Sequence, residues 1–260
     1  MIENVNLMNI EEIIKGAKDL QFDSRKCTDG SVFFAVRGTQ VDGHDYIAKA
    51  IENGAKGIVC EMLPETQVEG VRCFVVENSA KALGLAASAF YDNPSEKLHL
   101  VGVTGTNGKT TIATLLYRLF TDAGYMCGLL STIENIIGTK VVPSTHTTGD
   151  QLELNALLAQ MVEAGCEYAF MEVSSHSIDQ DRIAGLHFDG GIFTNLTQDH
   201  LDYHKTLANY RDAKKKFFDN LPSTAFALTN LDDKNGMVVC TNSRARADTF
   251  PIINIREESP

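Results

Sequence analysis

The stretch Val101-Gly-Val-Thr-Gly-Thr-Asn-Gly-Lys-Thr-Thr111 decides the fold of this 260-residue chain. It follows the apolar run 98–103 and leads into the apolar segment 112–120. A strand, a tight turn with glycines and the start of a helix form the context in which a Gly-x-x-Gly-Lys-Thr sequence binds phosphate. We therefore predict a nucleotide-binding loop between a strand and a helix.

Each residue type in this loop has a chemical reason. Gly105 and Gly108 allow positive φ angles and let backbone N–H groups approach an anion without a Cβ in the way. Those N–H groups and the positive end of the helix dipole hold phosphate oxygens. Lys109 reaches the β- and γ-phosphates, and the Thr110 hydroxyl is placed to bind Mg²⁺. The complete predicted loop is Gly105, Thr106, Asn107, Gly108, Lys109, Thr110 and Thr111.

The loop is a shortened variant of the usual pattern, because Val103 stands where a further glycine is expected. A glycine-rich turn that merely opens an ordinary helix is the alternative interpretation. The Gly-Lys-Thr-Thr sequence directly after an apolar strand favours the nucleotide site. The loop by itself does not distinguish ATP from GTP.

The composition is that of a soluble globular protein, with 43% hydrophobic and 22% charged residues. The net charge of −11 argues against nucleic acid or an anionic membrane as the main partner. No apolar run approaches the ~20 residues of a membrane span, and the first residues lack the basic and apolar regions of a signal peptide. We expect a cytoplasmic monomer.

The six cysteines show no short paired spacing, and several lie in apolar, strand-like runs. This distribution favours buried thiols over metal ligands or disulfides. The six are Cys27, Cys60, Cys73, Cys127, Cys166 and Cys240.

The pattern of apolar runs predicts two α/β domains. We place their boundary in the polar, proline-containing segment 91–97, which gives domains 1–92 and 93–260. Predicted strands of the first domain are 33–36, 57–60 and 73–76, and its predicted helices are 46–53 and 79–90. The second domain is predicted to contain the strand, loop and helix of 98–124, strands 127–131, 167–173, 190–195 and 224–230, and helices 150–164 and 207–220. The end, 238–260, has strand-like pieces and no closing helix.

Alternation of strands and helices predicts a mostly parallel sheet with helices on both faces. Ligands of such sheets bind at the carboxyl ends of the strands. Glu172 ends one apolar strand there, where a nucleotide-binding sheet places a Mg²⁺ ligand. An acid that is simply solvated at a strand end is the alternative.

Two further clusters carry titratable groups. The run 193–204 contains Asp199, His200, Asp202 and His204 after a strand end, where they could bind a metal or accept a proton, although a polar loop explains them as well. The helix 210–218 has three consecutive lysines, which a solvated basic face would explain. In the sharper hypothesis one lysine becomes a carbamate, which needs a neutral amine shielded from water or held near other cations.

Several long motifs together resemble the Mur ligases of peptidoglycan synthesis. They are Asp23-Ser-Arg25, Ser31-Val-Phe-Phe-Ala-Val-Arg-Gly38, Asp42-Gly-His-Asp-Tyr-Ile47 and Thr104-Gly-Thr-Asn-Gly-Lys-Thr-Thr111. Four more favour the MurE branch, which adds the third residue of the stem peptide: Thr145-His-Thr-Thr148, Glu172-Val-Ser-Ser-His176, Gln180-Asp-Arg182 and Thr194-Asn-Leu-Thr-Gln-Asp-His-Leu-Asp-Tyr-His204. The resemblance runs from about residue 20 to Asp233.

The resemblance implies a role for each matching residue. The catalytic group would be Lys109, Glu172, His200 and Lys214, with ATP held by the loop. Mg²⁺ would be surrounded by Thr110, Glu172, His200 and Lys214, the last as a carbamate. UDP-N-acetylmuramoyl-L-alanyl-D-glutamate would be bound by Phe22, Ser24, Thr39, Gln40 and Val41 of a UDP-sugar-binding first domain, and by His146, Thr147, Thr148, Ser174, Gln180 and Arg182.

The implied reaction is an ATP-dependent amide ligation through an acyl phosphate, with meso-diaminopimelate or L-lysine as the amino acid added. Mur ligases carry a third, carboxy-terminal domain, which we expect to be absent here, with the central domain incomplete at its end. We therefore expect this chain to be a fragment that is inactive alone. The alternatives are a fragment that binds nucleotide or UDP-sugar peptide without chemistry, and an unrelated P-loop phosphotransferase.

Overall fold

The computed structural model of the chain describes residues 3–4, 10–39, 41–64, 68–144, 147–241 and 243–250. The chain divides into two compact units. The first consists of Met1–Pro94, Asp150–Ala156 and Gln180–Leu186, and the second of Ser95–Gly149, Leu157–Asp179 and His187–Pro260. None of the helices in the described ranges has the length and apolar character to cross a membrane.

The first unit is built on a five-stranded parallel sheet. Its strands are β1 (Glu3–Asn4), β2 (Leu20–Gln21), β3 (Val32–Phe34), β4 (Gly57–Cys60) and β5 (Arg72–Val75), in the order β1-β5-β4-β3-β2. Its helices are α1 (Ile10–Ile14), α2 (Ile47–Glu52) and α3 (Ser79–Phe90), with 3₁₀ turns at Ser24–Lys26 and Gly43–Tyr46. Every residue of β3 and β4 is buried, as expected for parallel strands covered on both faces.

Neighbouring residues of β3 face opposite sides of this sheet. Phe34 packs with Ile13 and Leu83, so α1 and α3 cover one face. Phe33 packs with Ile47 and Ala50, so α2 covers the other face. This alternation follows from the two-residue period of a strand.

The second unit contains an eight-stranded sheet in the order β13-β12-β11-β6-β10-β7-β8-β9. Its strands are β6 (His99–Thr104), β7 (Cys127–Leu130), β8 (Glu134–Ile137), β9 (Lys140–Pro143), β10 (Tyr168–Glu172), β11 (Gly190–Phe193), β12 (Phe226–Asn230) and β13 (Arg246–Phe250). Its helices are α4 (Lys109–Asp122), α5 (Gln151–Glu163, which begins in the first unit), α6 (Ser175–Asp179), α7 (Leu201–His204), α8 (Leu207–Asp219) and α9 (Gly236–Cys240), with a 3₁₀ turn at Pro94–Lys97. Only the β7-β8 and β8-β9 pairs are antiparallel among the described strand pairs of this sheet.

Helices cover both faces of the second sheet. Val101 and Val103 of β6 pack with Ala113 of α4 on one face. On the other face, a Cβ at Gly102 would lie 2.6 Å from the ring of Phe217 in α8, so the helix approaches the strand there as closely as glycine allows. The predicted mostly parallel sheet with helices on both faces is therefore confirmed.

The structure also differs from the sequence-based expectations in several places. The end segment 238–260 contains the strand β13 (Arg246–Phe250), as predicted, but its first residues belong to α9 (Gly236–Cys240), whose Val239 and Cys240 are buried. A five-residue apolar run does not reveal whether it is helix or strand by its periodicity. The antiparallel hairpin of β8 and β9 and the short elements β1, β2, α1, α6 and α7 were not predicted. Predicted element ends differ from the observed ones by one or two residues in most cases.

All six cysteines lie in the described part of the chain and are free thiols, five of them buried and Cys73 half-buried. Burial raises the pKa of Cys27 and of Cys60 to about 11 in each case. These thiols therefore stay protonated and unreactive near neutral pH. The expectation of buried thiols without disulfides is confirmed for this part of the structure.

Candidate nucleotide-binding site

The glycine loop connects β6 to α4, and its two glycines have different surroundings. Gly105 has φ +150°, and a Cβ there would lie 1.9 Å from the Thr194 hydroxyl oxygen. Gly108 has φ +84° and precedes α4, and a Cβ there would meet no atom within 4 Å. Gly105 therefore permits close packing beneath the loop, while the face above Gly108 is open. The N–H groups of the first turn of α4 begin at this open face and are suited to bind an anion.

Residues that follow β11 brace the loop from below. The Thr194 hydroxyl donates to the Asn107 carbonyl at 2.6 Å. The Asn107 N–H donates to the Asn195 side chain at 3.0 Å, and the Thr106 N–H donates to the Asn195 carbonyl at 2.8 Å. These bonds fix the loop, so a phosphate would meet a preorganised site.

The Lys109 ammonium lies over the loop that precedes it. Its Nζ donates to the carbonyls of Gly105 at 3.1 Å and of Thr106 at 2.9 Å. Burial lowers the pKa of Lys109 below its usual value, and the negative charges of Glu172 and Asp199 oppose this shift. The structure therefore holds this cation against the backbone carbonyls of the loop.

Lys214 of α8 reaches the same carbonyl from another direction. Its side chain is 1% exposed, and its Nζ donates to the Gly105 carbonyl at 2.8 Å. The Nζ also lies 4.5 Å from the ring centre of Tyr210, one helical turn earlier. Burial, followed by the charge of Lys109, lowers the pKa of Lys214 well below its usual value, and Asp199 opposes this. These are the surroundings that a neutral, reactive amine requires.

Glu172 ends β10 beside Val103 of β6 and is 1% exposed. Its Oε1 accepts a hydrogen bond from the Thr132 N–H at 2.7 Å. The Thr148 hydroxyl donates to the Glu172 carbonyl at 3.0 Å, and the Ser174 N–H donates to the same hydroxyl at 3.2 Å. The buried carboxylate thus shares the carboxyl edge of the sheet with the glycine loop.

His200 lies near the same edge but is exposed. It precedes α7 with φ +51°, which is unusual for a residue with a Cβ. Its ring centre lies 4.9 Å from that of His176 and 6.0 Å from that of Tyr210, whose ring also contacts Lys214. Contacts through Tyr210 therefore connect His200 to Lys214 of α8.

Of the other titratable residues in the 193–204 cluster, His204 differs from His200 in exposure. Asp199 and Asp202 are exposed. His204 is buried, with its Nε2 2.9 Å from the Ser175 hydroxyl oxygen. Burial, followed by the charge of His176, lowers the pKa of His204. His204 therefore belongs to the packed interior that supports α7.

No three His, Cys, Asp or Glu side chains are grouped as a metal site among the residues that the structure describes. Oxygen donors at this edge of the sheet include the Glu172 carboxylate and the partly exposed Thr110 hydroxyl in the first turn of α4. Hard oxygen donors of this kind suit Mg²⁺, which usually keeps several waters and takes few protein ligands. The donor set is therefore compatible with magnesium bound together with phosphate.

The predicted sugar-side residues of the first unit lie on its loops. Phe22 is 39% exposed, whereas Ser24 is buried in a 3₁₀ turn. Thr39 and Val41 are exposed in a tight turn that the Gly38 N–H closes by donating to the Val41 carbonyl at 2.9 Å. The turn therefore presents these two side chains to solvent.

The structure describes some of the remaining predicted residues and not others. In the first unit, the Arg182 guanidinium donates to the Gln180 side chain at 2.6 Å. In the second unit, Thr147 is partly exposed, next to the buried Thr148. Gln40 and His146 lie outside the described residues.

Several residues of this site were not assigned a role from the sequence alone. Thr194 and Asn195 brace the loop, Thr132 donates to Glu172, and Tyr210 contacts Lys214. The i, i+4 spacing of Tyr210 and Lys214 on a helix is a signal that could have indicated their contact. The Thr132 contact joins residues 40 positions apart and had no such signal.

Two protein-family models match parts of the chain. Residues 103–255 match the Mur ligase middle domain, and residues 18–91 match the catalytic domain of the Mur ligase family. A UDP-N-acetylmuramoyl-L-alanyl-D-glutamate–2,6-diaminopimelate ligase of Parabacteroides distasonis is 61% identical over 252 residues, which cover 96% of this chain and 49% of the relative. The chain spans about half the length of the curated relatives it matches.

Two solved structures have the same fold. A UDP-N-acetylmuramoyl-L-alanyl-D-glutamate–2,6-diaminopimelate ligase superposes with a TM-score of 0.75 and 26% identity, over 92% of this chain and 49% of the other. The MurF ligase of Thermotoga maritima in complex with ADP superposes with a TM-score of 0.58 and 25% identity, over 90% of this chain and 50% of the other. The middle-domain match alone covers more than half of the 260 residues. The chain belongs to the Mur ligase family.

Proposed function

We propose that this chain supplies the nucleotide-binding and UDP-sugar-binding parts of an ATP-dependent ligase. The ligase would add 2,6-diaminopimelate to UDP-N-acetylmuramoyl-L-alanyl-D-glutamate, the reaction in the name of the 61% identical relative. The crystallised MurF ligase with ADP supports ATP as the nucleotide. The observation that carries the proposal is the convergence of Lys109 and Lys214 on the Gly105 carbonyl. Because the ligase would consume ATP, we expect it to act in the cytoplasm. We also propose that it is a monomer.

The chemistry must bring two anions together. The γ-carboxylate of D-glutamate attacks the γ-phosphorus of ATP, which releases ADP and forms an acyl phosphate. The amine of the amino acid then attacks the acyl carbon, inorganic phosphate leaves, and the amine loses a proton. In this scheme Lys109 and the N–H groups after Gly108 neutralise the charge on the phosphates. This charge neutralisation and the positioning of the two reactants make the main contributions to catalysis.

The metal would be held by four residues at the carboxyl edge of the second sheet: Thr110, Glu172, His200 and Lys214. Magnesium would supply further positive charge beside the transferring phosphoryl group. For Lys214 to be an oxygen ligand, its neutral amine adds to carbon dioxide and loses a proton, which gives a carbamate. The burial of Lys214 and its neighbour Lys109 favour the neutral amine.

The substrate side would use residues of both units. The UDP-sugar would be bound by Phe22, Ser24, Thr39, Gln40 and Val41, and the dipeptide by His146, Thr147, Thr148, Ser174, Gln180 and Arg182. Arg182 suits a carboxylate, because a guanidinium can donate two parallel hydrogen bonds to it.

Two measurements test the proposal. Calorimetry should detect binding of MgATP and of UDP-N-acetylmuramoyl-L-alanyl-D-glutamate. In protein that completes the reaction, phosphate release should require ATP, the UDP-linked dipeptide and 2,6-diaminopimelate together. Absence of binding of both ligands would refute the proposal. Phosphate release that is independent of the dipeptide would instead support an unrelated phosphotransferase.

A further inference from the structure

A cluster of charged and polar side chains lies at the carboxyl edge of the sheet in the first unit. Arg37 follows β3, Glu61 follows β4 directly, and Ser79 begins α3 after β5. Asp42 and His44 lie at the far side of the turn that starts at Arg37. Nothing in the nucleotide site uses these residues, yet the turn between them carries Thr39 and Val41.

Hydrogen bonds define the tautomer of His44 in this cluster. The Glu61 N–H donates to the His44 Nε2 at 2.9 Å, and the His44 Nδ1 lies 2.6 Å from an Asp42 carboxylate oxygen. Because an N–H can only donate, the Nε2 must carry a lone pair and the proton must be on the Nδ1. The side chain of His44 is 10% exposed, so water has little room to replace either partner.

The same cluster ties both ends of the turn to the strands beside it. The Arg37 Nε lies 3.2 Å from Glu61 and 3.5 Å from Asp42. The second Glu61 oxygen accepts from the N–H of Ser79 at 3.1 Å and from its hydroxyl at 2.9 Å, at the start of α3. The imidazole of His44 thus connects Asp42, at the end of the turn, to the backbone of Glu61, which follows β4.

We infer that His44, with its proton on Nδ1, is a positioning residue that holds the turn carrying Thr39 and Val41 at the sheet edge and thereby sets the affinity for the uridine diphosphate end of the substrate. The inference rests on the proposed function, in which this turn meets the UDP-linked substrate. His44 itself acts through the backbone of Glu61 and through Asp42. It needs no contact with the ligand.

The test is a calorimetric titration with UDP of the parent chain and three variants. His44→Phe keeps a ring but removes both hydrogen bonds, and should weaken UDP binding about tenfold or more. His44→Gln places a carbonyl oxygen where the Nε2 accepts from Glu61, and should stay within about threefold of the parent. His99→Phe is the matched control, because its Nδ1 also lies 2.6 Å from an aspartate, Asp189, but in the second unit. It should bind UDP like the parent.

Each variant is also titrated with MgATP, and nitrogen NMR identifies the tautomer of His44. Unchanged MgATP binding together with weak UDP binding in His44→Phe, and an Nδ1–H signal in the parent, support the inference. Parental UDP affinity in His44→Phe, equal loss in His44→Gln, or an Nε2–H tautomer overturns it while the proposed function stands. A parent that binds MgATP but not UDP overturns the inference and the proposed role of the first unit together.

Discussion

The two parallel sheets of this chain end in polar edges of different kinds. In the first unit, the charges of Arg37, Glu61 and Asp42 are paired with one another. In the second unit, the half-buried amine of Lys109 and the buried amine of Lys214 donate to a single neutral carbonyl. Paired charges maintain the shape of a loop, whereas amines that donate to a neutral carbonyl are suited to bind an anion. The difference supports the proposed phosphate site at the edge of the second sheet.

Among the substitutions that test this difference between the two edges, removal of the Lys109 cation should have the largest effect, a loss in the rate of phosphate release. In protein that completes the reaction, we expect Lys109→Ala to lower ATP-dependent phosphate release at least about 100-fold, because the charge on the transferring phosphoryl group loses its cation. Melting temperature should change little. The control is Lys140→Ala, an exposed lysine on β9. A rate within tenfold of the parent for Lys109→Ala would remove this residue from the mechanism.

Substitution of each loop glycine by alanine should lower the free energy of unfolding by a different amount. At Gly105 the new methyl group would meet the Thr194 hydroxyl, and we expect the free energy of unfolding to fall by about 3 kcal/mol. At Gly108 the space is open and only the positive φ is unfavourable, so the loss should be about 1 kcal/mol. Urea denaturation measures both values. Equal losses would mean that the brace under the loop is not rigid.

Glu172 should affect the affinity for ATP through its role as a magnesium ligand. We expect Glu172→Gln, which can still accept from the Thr132 N–H, to reduce the gain in ATP affinity on adding Mg²⁺ by about tenfold. Calorimetry with and without Mg²⁺ gives this ratio. The control is Glu167→Gln, an exposed acid just before β10. A magnesium dependence that is unchanged in Glu172→Gln would place the cation elsewhere.

The buried amine of Lys214 should reduce stability in a pH-dependent way. Its pKa in the folded chain lies below the ordinary value of 10.5, so the unfolded chain binds more protons between these two values. The energetic cost of the buried ammonium is therefore fully present below the folded-state pKa and disappears as pH rises toward 10.5. We expect Lys214→Met to stabilise the fold by about 1 kcal/mol at neutral or lower pH, and by less at alkaline pH.

The control for Lys214 is Lys216→Met, two residues along the same helix. Lys216 is 58% exposed and pairs with Asp179 at 3.0 Å, so the change in stability should stay within about 0.5 kcal/mol and vary little with pH. Thermal unfolding at several pH values compares the two variants. A gain for Lys214→Met that grows as pH rises would contradict the assignment of a lowered pKa.

The glycine loop was predictable from the sequence because its signals are local. A strand, two glycines, a lysine and a helix follow one another within 25 residues, and the structure has β6, the loop and α4 in these places. The parallel sheet followed from the alternation of strands and helices. The antiparallel hairpin of β8 and β9 did not, because its strands have only four residues each.

Other features depend on contacts between distant residues. Three consecutive lysines in α8 have the pattern of a solvated basic face, and the burial of Lys214 depends on the Gly105 carbonyl, 109 positions away. The tautomer of His44 likewise depends on Glu61, 17 positions away. Such contacts have no periodic signal in the sequence. The resemblance to Mur ligases pointed to Lys214, whereas nothing in the sequence pointed to the role of His44.

The most direct test of the nucleotide site is a crystal structure of the chain with Mg²⁺ and a non-hydrolysable ATP analogue. We predict that the β- and γ-phosphates contact the N–H groups following Gly108, and that the Lys109 Nζ leaves the carbonyls of Gly105 and Thr106 to bind them. A nucleotide bound away from this loop, or a Lys109 that keeps both carbonyl contacts beside the bound nucleotide, would contradict the account.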